Sequence, residues 1–325
     1  MNELIWSMLQ GDSYALSRLI TLVENDRVKI ADLMERIHDR TGKAGSIGIT
    51  GPPGAGKSSL TARLVEFMRK EGASVGVIAC DPSSPFSGGA LLGDRIRMGS
   101  HFLDDDVFIR SMSTRGNLGG LPQKVHAVTN LLDAFGKDFI LVETVGVGQT
   151  DVDIRGVVDT NVLVLTPFSG DQIQAMKSGI MEIVDIFVIN KIDIGEPAAL
   201  EEDLADVLRI RKKPGDWMPL IQKAQSIEGL GVQEILEAIK MHRRFLQESG
   251  FGLERHVRNR RKIFSQTMKD MLLRSVKQSL ERNEEFMAVL ARVESGEMNP
   301  YLACEEILHD EEIWREVFSR FIKRA

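Results

Sequence analysis

The chain has 325 residues, 43% of them hydrophobic and 27% charged, enough apolar material for one large domain or two around a buried core. Its formal net charge of -6 argues against a protein whose main task is neutralising nucleic-acid phosphate. The two cysteines, Cys80 and Cys304, stand far apart in unlike contexts, which excludes a disulfide framework and a cysteine-rich metal site and fits a reducing compartment.

The opening residues Met1-Asn2-Glu3-Leu4-Ile5-Trp6 lack the basic-then-apolar layout of a signal peptide, and no later run is apolar for long enough to span a bilayer. A cytoplasmic protein without a membrane partner is expected. From Leu4 to Arg40 apolar residues recur at helical spacing (Leu16, Leu19, Ile20, Val23), with Gly11-Asp12 as a stop and N-cap between two helices. After Gly42 the pattern changes to short aliphatic runs separated by amphipathic stretches: Ser46–Thr50, Val75–Cys80, Val107–Arg110, Phe139–Glu143, Val162–Thr166 and Ile186–Asn190. Met218–Ile221 reads as a last strand and Val232–Phe245 as the helix after it. Such a series predicts an α/β fold with a mostly parallel sheet flanked by crossover helices. From Leu253 to Arg324 the chain is charged and helical, with a loop at 295–300. The expected organisation is an N-terminal helical extension over 1–43, an α/β domain over 44–245 and a helical module over 246–325.

Between the first strand and its helix stands Gly51-Pro52-Pro53-Gly54-Ala55-Gly56-Lys57-Ser58, with Ser59 opening the helix. This is the GxxxxGK[ST] phosphate cradle of P-loop NTPases in its proper context. Backbone N–H groups wrap the phosphates, Lys57 reaches the β- and γ-phosphates, and the Ser58 hydroxyl suits a Mg²⁺ ligand. Asn190-Lys191-Ile192-Asp193 follows an apolar strand and has the NKxD form that reads guanine. A carboxylate at Asp193 accepts from both N1–H and the exocyclic amine of guanine, and adenine offers no such donor pair, so GTP is favoured over ATP. Glu143-Thr144-Val145-Gly146 ends the strand Phe139–Val142 where GTPases carry DxxG. The longer carboxylate can hold the magnesium water shell, Gly146 N–H is placed for the γ-phosphate, and the loop 145–151 is expected to sense hydrolysis. Val147 occupies the place of the water-orienting glutamine, so slow intrinsic turnover is expected.

Together with Asp81-Pro82-Ser83-Ser84-Pro85, Gly93-Asp94-Arg95, Arg115-Gly116-Asn117-Leu118-Gly119-Gly120 and Gly170-Asp171-Gln172-Ile173-Gln174, these elements closely resemble the MeaB/ArgK family of GTPases over nearly the whole chain. The resemblance implies a G-protein chaperone of a coenzyme-B12-dependent acyl-CoA mutase, typically methylmalonyl-CoA mutase. Such a protein gates adenosylcobalamin delivery by its adenosyltransferase and protects or reactivates the mutase. It also implies a homodimer joined through C-terminal helices. By the same resemblance Ser58 and Asp94 are magnesium ligands, and Asp81 and Glu143 hold the metal's waters. Asp171, Gln174 and Lys177 belong to an additional switch loop that relays nucleotide state, with Lys177 reaching the nucleotide when the partner is bound. Plain structural roles stand beside these: Asp81 as a turn former before Pro82, Asp94 as a helix cap, Lys177 on a solvated helix face. The fifth guanine-binding loop, Lys223-Ala224-Gln225-Ser226, departs from the usual Ser-Ala pair and puts Ser226 in the alanine position.

The basic run Arg255–Lys262 has no interleaved aromatics to suggest nucleic acid, and reads as a solvated helix or dimer rim. The six histidines are scattered, which disfavours a metal-inserting GTPase. The remaining alternative is a nucleotide-driven kinase of an amino-acid (lysine/arginine/ornithine) transport system, for which no phosphoacceptor site is evident.

Overall fold

The computed structural model describes residues 1–81, 101, 103–113, 124–144, 158–169, 184–211 and 216–322. Among these, seven strands form one sheet: β1 (Gly45–Thr50), β2 (Val75–Asp81), β3 (Val107–Ser113), β4 (Phe139–Glu143), β5 (Thr160–Leu165), β6 (Ile186–Asn190) and β7 (Leu220–Ala224), in the order β3-β2-β4-β1-β5-β6-β7. Every pairing is parallel, so the strands require crossovers, and both faces of the sheet are covered. The covering helices are α1 (Asn2–Leu9), α2 (Ser13–Glu24), α3 (Ile30–Ile37), α4 (Lys57–Lys70), α5 (Val125–Phe135), α6 (Ala198–Arg211) and α7 (Val232–Glu248). The expected α/β architecture is thus present.

The central strands β1, β4, β5 and β6 are buried along their whole length, and alternate residues serve different layers. Ile78, Cys80, Ile140 and Val142 pack with Leu16 and Leu19 of α2 and Leu131 of α5. Ile47, Ile49, Val77 and Leu141 point to the other face, against Leu60 and Leu64 of α4 and Ile235 of α7. At the β5–β6 side, Leu163, Leu165, Phe187 and Ile189 meet Leu200 and Leu204 of α6. Each such buried side chain stabilises the fold by about 1.5–3 kcal/mol.

The first three helices share the core of the first face: Ile5, Met8, Leu33 and Ile37 are buried in it. Asp12 caps α2 by accepting from Tyr14 N at 2.9 Å, the stop-and-cap anticipated at Gly11-Asp12. Arg110 of β3 pairs with Glu24 at the end of α2.

The chain divides into two compact units, Met1–His256 and Val257–Ala325, and the division falls inside α8 (Phe251–Leu280). The second unit continues through α9 (Glu284–Glu294), α10 (Pro300–His309) and α11 (Glu311–Ile322). Its small core gathers Ile307, Ile313 and Val317 with the half-buried Leu280, Phe286 and Trp314. The sequence pattern suggested one break, near 295–300. Two more occur, at Asn283 and Asp310, each capping the next helix by accepting from Phe286 N (2.8 Å) and Ile313 N (3.0 Å).

Candidate nucleotide site

The site is built on the carboxyl ends of β1, β4, β6 and β7, the edge where open α/β sheets receive ligands. β1 runs directly into the glycine loop. A Cβ on Gly51 would stand 2.1 Å from the Val164 carbonyl oxygen of β5, and its φ is 144°, so only glycine lets the chain turn here. Gly56, with φ 92°, is the N-cap of α4, and a Cβ there would lie 2.3 Å from Asn190 Nδ2. Helix α4 therefore starts with Lys57, Ser58 and Ser59 in its first turn, where backbone N–H groups lack helical partners. Lys57 is buried, and its Nζ donates to the carbonyls of Gly51 (2.9 Å) and Pro52 (3.1 Å).

Glu143, the last residue of β4, pairs in register with Ile49 of β1 and so arrives beside the start of α4. Ser58 Oγ donates to Glu143 Oε1 at 2.6 Å, and Thr61 Oγ1 lies 2.9 Å from Oε2. Glu143 is only 3% exposed. Thr144 fixes the strand end, with its N–H donating to Ile49 O and its hydroxyl to Thr50 Oγ1, each at 3.0 Å. Asp81 closes β2, the strand that pairs with β4; its side chain lies outside the described residues, as do Asp94, Gly146 and Lys177.

Asn190 ends β6 and is almost fully buried, at 1% exposure. Its Nδ2 donates to Ala55 O at 2.8 Å, and its Oδ1 accepts from Ser226 N (3.1 Å) and Ser226 Oγ (2.7 Å). One carboxamide thus ties the glycine loop to the loops after β6 and β7. The next residue, Lys191, takes a left-handed φ of 61°, and Asp193 beyond it is exposed. Ser226 is buried in a loop closed by Gln225 N donating to Leu230 O at 3.0 Å. Both of its donors described here go to Asn190.

The sequence motifs thus bring together Lys57, Ser58 and Glu143 in one cluster and Asn190 and Ser226 in another, joined by the glycine loop. They did not point to Thr61, whose only sequence signal is its place three residues after Ser58 on one helix face. Nor did they foresee that Ser226 would give its hydroxyl to Asn190.

A parallel sheet whose first strand enters a glycine loop, with the loop's lysine and serine beside an acidic strand end, defines a P-loop NTPase. Residues 16–281 match the family described as Methylmalonyl Co-A mutase-associated GTPase MeaB, and the chain belongs to that family. It is 45% identical over 313 residues to a putative GTPase of Pyrococcus abyssi, covering 95% of this chain and 96% of the relative. It is 29% identical to the mitochondrial methylmalonic aciduria type A homolog of Mus musculus, over 95% of this chain and 79% of that one. Among solved structures it resembles one described as LAO/AO transport system kinase, with a TM-score of 0.66, 27% identity, and coverage of 94% and 95% of the two chains. The resemblance read from the motifs holds, and the protein is a GTPase of this family that binds guanine nucleotide. Among the described residues no helix is long and apolar enough to cross a membrane.

Proposed function

We propose that the protein is a magnesium-dependent GTP switch that acts as chaperone to a coenzyme-B12-dependent acyl-CoA mutase of the methylmalonyl-CoA mutase type. In this role it gates adenosylcobalamin delivery and protects or reactivates the mutase. The observation that carries the proposal is the 2.6 Å bond from Ser58 to Glu143, beside the glycine loop of a chain in the MeaB family. The hydroxyl and carboxylate are hard oxygen donors of the kind Mg²⁺ prefers. Ser58 and Asp94 would ligate the metal, and Asp81 and Glu143 would hold its waters. When bound, Mg²⁺ neutralises charge on the β- and γ-phosphate oxygens.

The chain's own residues do the rest. Gly54, Gly56, Lys57, Ser58 and Ser59 present backbone N–H groups to the phosphates. Lys57 exchanges the Gly51 and Pro52 carbonyls for β- and γ-phosphate oxygens, and Gly146 N–H bonds the γ-phosphate. Asp193 accepts from guanine N1–H and the exocyclic amine, in a pocket that Asn190, Lys191 and Ser226 hold in shape. Water attacks the γ-phosphorus and the bond to the β,γ-bridging oxygen breaks, giving GDP and phosphate. With Val147 where a glutamine would orient that water, the protein alone is slow. The bound mutase supplies the missing order by bringing Lys177 of the switch loop to the nucleotide.

Residues 246–325 serve as a dimerisation module in this scheme. The exposed apolar side chains of α8, among them Phe264 (66% exposed), Met271 (65%) and Leu273 (67%), support pairing with a second copy. The adenosyltransferase is a third participant, and the cytoplasm the expected location.

The test is GTP hydrolysis by the purified protein with and without a B12-dependent mutase from the same source. A stable complex and faster turnover are expected; neither complex nor stimulation with any such mutase would sink the chaperone role. The name carried by the solved relative supports a second reading, a nucleotide-driven kinase of an amino-acid transport system. That reading requires the γ-phosphoryl group of labelled GTP to appear on a protein acceptor instead of in free phosphate.

A further inference from the structure

We propose that Thr61 is a positioning residue for GTP hydrolysis: its hydroxyl fixes the second oxygen of Glu143, so that the first faces Ser58 before nucleotide and metal arrive. This rests on the proposed role of Glu143 in holding the magnesium water shell. Glutamate has one more side-chain torsion than the aspartate usual in this place, so its carboxylate has more positions to choose from, and a second anchor removes that freedom.

The anchor is visible. Ser58 and Thr61 stand three residues apart on the first turns of α4 and face the same way. Their hydroxyls meet opposite oxygens of one carboxylate, at 2.6 Å and 2.9 Å. Thr61 Oγ1 also lies 2.9 Å from Lys57 O, and a hydroxyl has a single proton to give. The Lys57 carbonyl already receives the helical N–H of residue 61, whereas a carboxylate makes the stronger, charge-assisted bond. The rotamer that turns the hydroxyl back toward residue 57 is one that β-branched threonine adopts readily in a helix, and here it aims the same oxygen at Glu143. Thr61 is 0% exposed, so bulk water does not stand in for it.

The experiment uses the full chain and its Thr61→Val and Thr61→Ser variants. Three quantities are read: the Mg²⁺ concentration for half-maximal GTP hydrolysis, the Mg²⁺ dependence of fluorescent GDP binding, and the melting temperature. Thr61→Val is expected to raise the Mg²⁺ requirement in both titrations by about 3–10-fold, the range of the net contribution of one intramolecular hydrogen bond. GDP affinity in EDTA should stay unchanged, and Thr61→Ser should lie within about twofold of the parent. In a Glu143→Ala background Thr61→Val should add no further shift.

A Thr61→Val protein that melts earlier yet keeps both Mg²⁺ titrations would reduce Thr61 to helix packing and overturn the proposal, as would full additivity with Glu143→Ala. If Glu143→Ala alone leaves the Mg²⁺ dependence unmoved, the assignment of Glu143 itself has failed. Should Thr61→Val not fold, Thr61→Ala reads the same shifts.

Discussion

At the carboxyl edge of the sheet Glu143 is gripped by the hydroxyls of Ser58 and Thr61; at the amino edge Asp185, just before β6, is gripped by a guanidinium. Arg255 donates to both Asp185 oxygens, at 3.0 and 3.3 Å, while Asn161 N and Nδ2 donate to Oδ2 at 2.8 and 3.2 Å. His242 Nε2 lies 3.4 Å from Oδ1, and Trp217 Nε1 donates to the Asp185 carbonyl at 2.9 Å. Burial pushes the Asp185 carboxyl up, but the charges of Arg255 and His242 and the hydrogen bonds around it outweigh burial and hold it below the usual carboxylate range. Two buried carboxylates in one fold therefore have different company. Hydroxyl donors orient a carboxylate without cancelling its charge, whereas a paired guanidinium cancels it on the spot. The first arrangement fixes the direction of a carboxylate beside the glycine loop, and the second is a structural clasp.

Breaking the clasp should produce the largest effect. Arg255→Ala leaves the Asp185 charge buried without its cation and should cost about 3–5 kcal/mol of stability, read by denaturant unfolding. Hydrolysis per folded molecule should hardly move. A loss under about 1 kcal/mol, the value of an exposed pair, would reclassify the clasp as a surface contact. Lys57→Ala should do the reverse at the other edge, lowering GTP hydrolysis about 100-fold or more, as removal of one transition-state donor does, while the unfolding midpoint stays put. Full turnover in that variant would contradict the phosphate cradle.

These two edges were not equally legible in the sequence. The carboxyl edge was written in local motifs, because the glycine loop and NKID each follow a strand within a few residues and strand ends carry their motifs to one edge. Strand ends themselves were off by a few residues: β7 begins at Leu220, not Met218, since strand pairing with β6 decides the limits and an apolar run does not. The breaks at Asn283 and Asp310 were readable as N-cap residues followed by acidic first turns, yet the charged, continuous helical pattern around them hid the signal. The amino-edge clasp was illegible. Asn161, Asp185, His242 and Arg255 are spread along the chain, no spacing rule links them, and Arg255 sat inside a basic run that reads as a solvated face. Only the parallel register of β5 and β6, with α7 and the first turn of α8 beside them, makes them neighbours.

Guanine selectivity gives the next effect down. Asp193 is exposed, so the fold does not depend on its charge, and a change there should be felt by the base alone. Asp193→Asn should weaken GTP binding about 10–100-fold, the value of one or two charge-assisted hydrogen bonds, and should improve binding of xanthosine triphosphate, whose edge offers an acceptor where guanine offers the amine. Equal GTP affinity in variant and parent would remove Asp193 from base recognition.

The smallest effect concerns pH and again separates the edges. Burial holds His242 below its ordinary value of 6.5, the Arg255 charge adds to the lowering, and the charges of Asp185 and Asp159 oppose it. Between the depressed native value and 6.5 the unfolded chain takes up a proton that the native ring refuses. Stability from this source is therefore complete above about pH 6.5 and is lost as pH falls through that window. His126 is likewise lowered by burial and contributes a slope of the same sign, so the wild-type profile alone does not isolate His242. The difference between wild type and His242→Phe does: the variant keeps an aromatic ring against Trp217, 4.8 Å away between centroids, loses the 2.8 Å bond with Thr160, and should show the shallower slope in denaturant unfolding from about pH 5 to about pH 8. Parallel profiles would mean that the clasp tolerates a charged imidazole, with Asp185 absorbing the proton's charge. In either case GTP affinity per folded molecule should not follow the His242 profile, because the titrating ring belongs to the edge that holds the fold and not to the edge that holds the nucleotide.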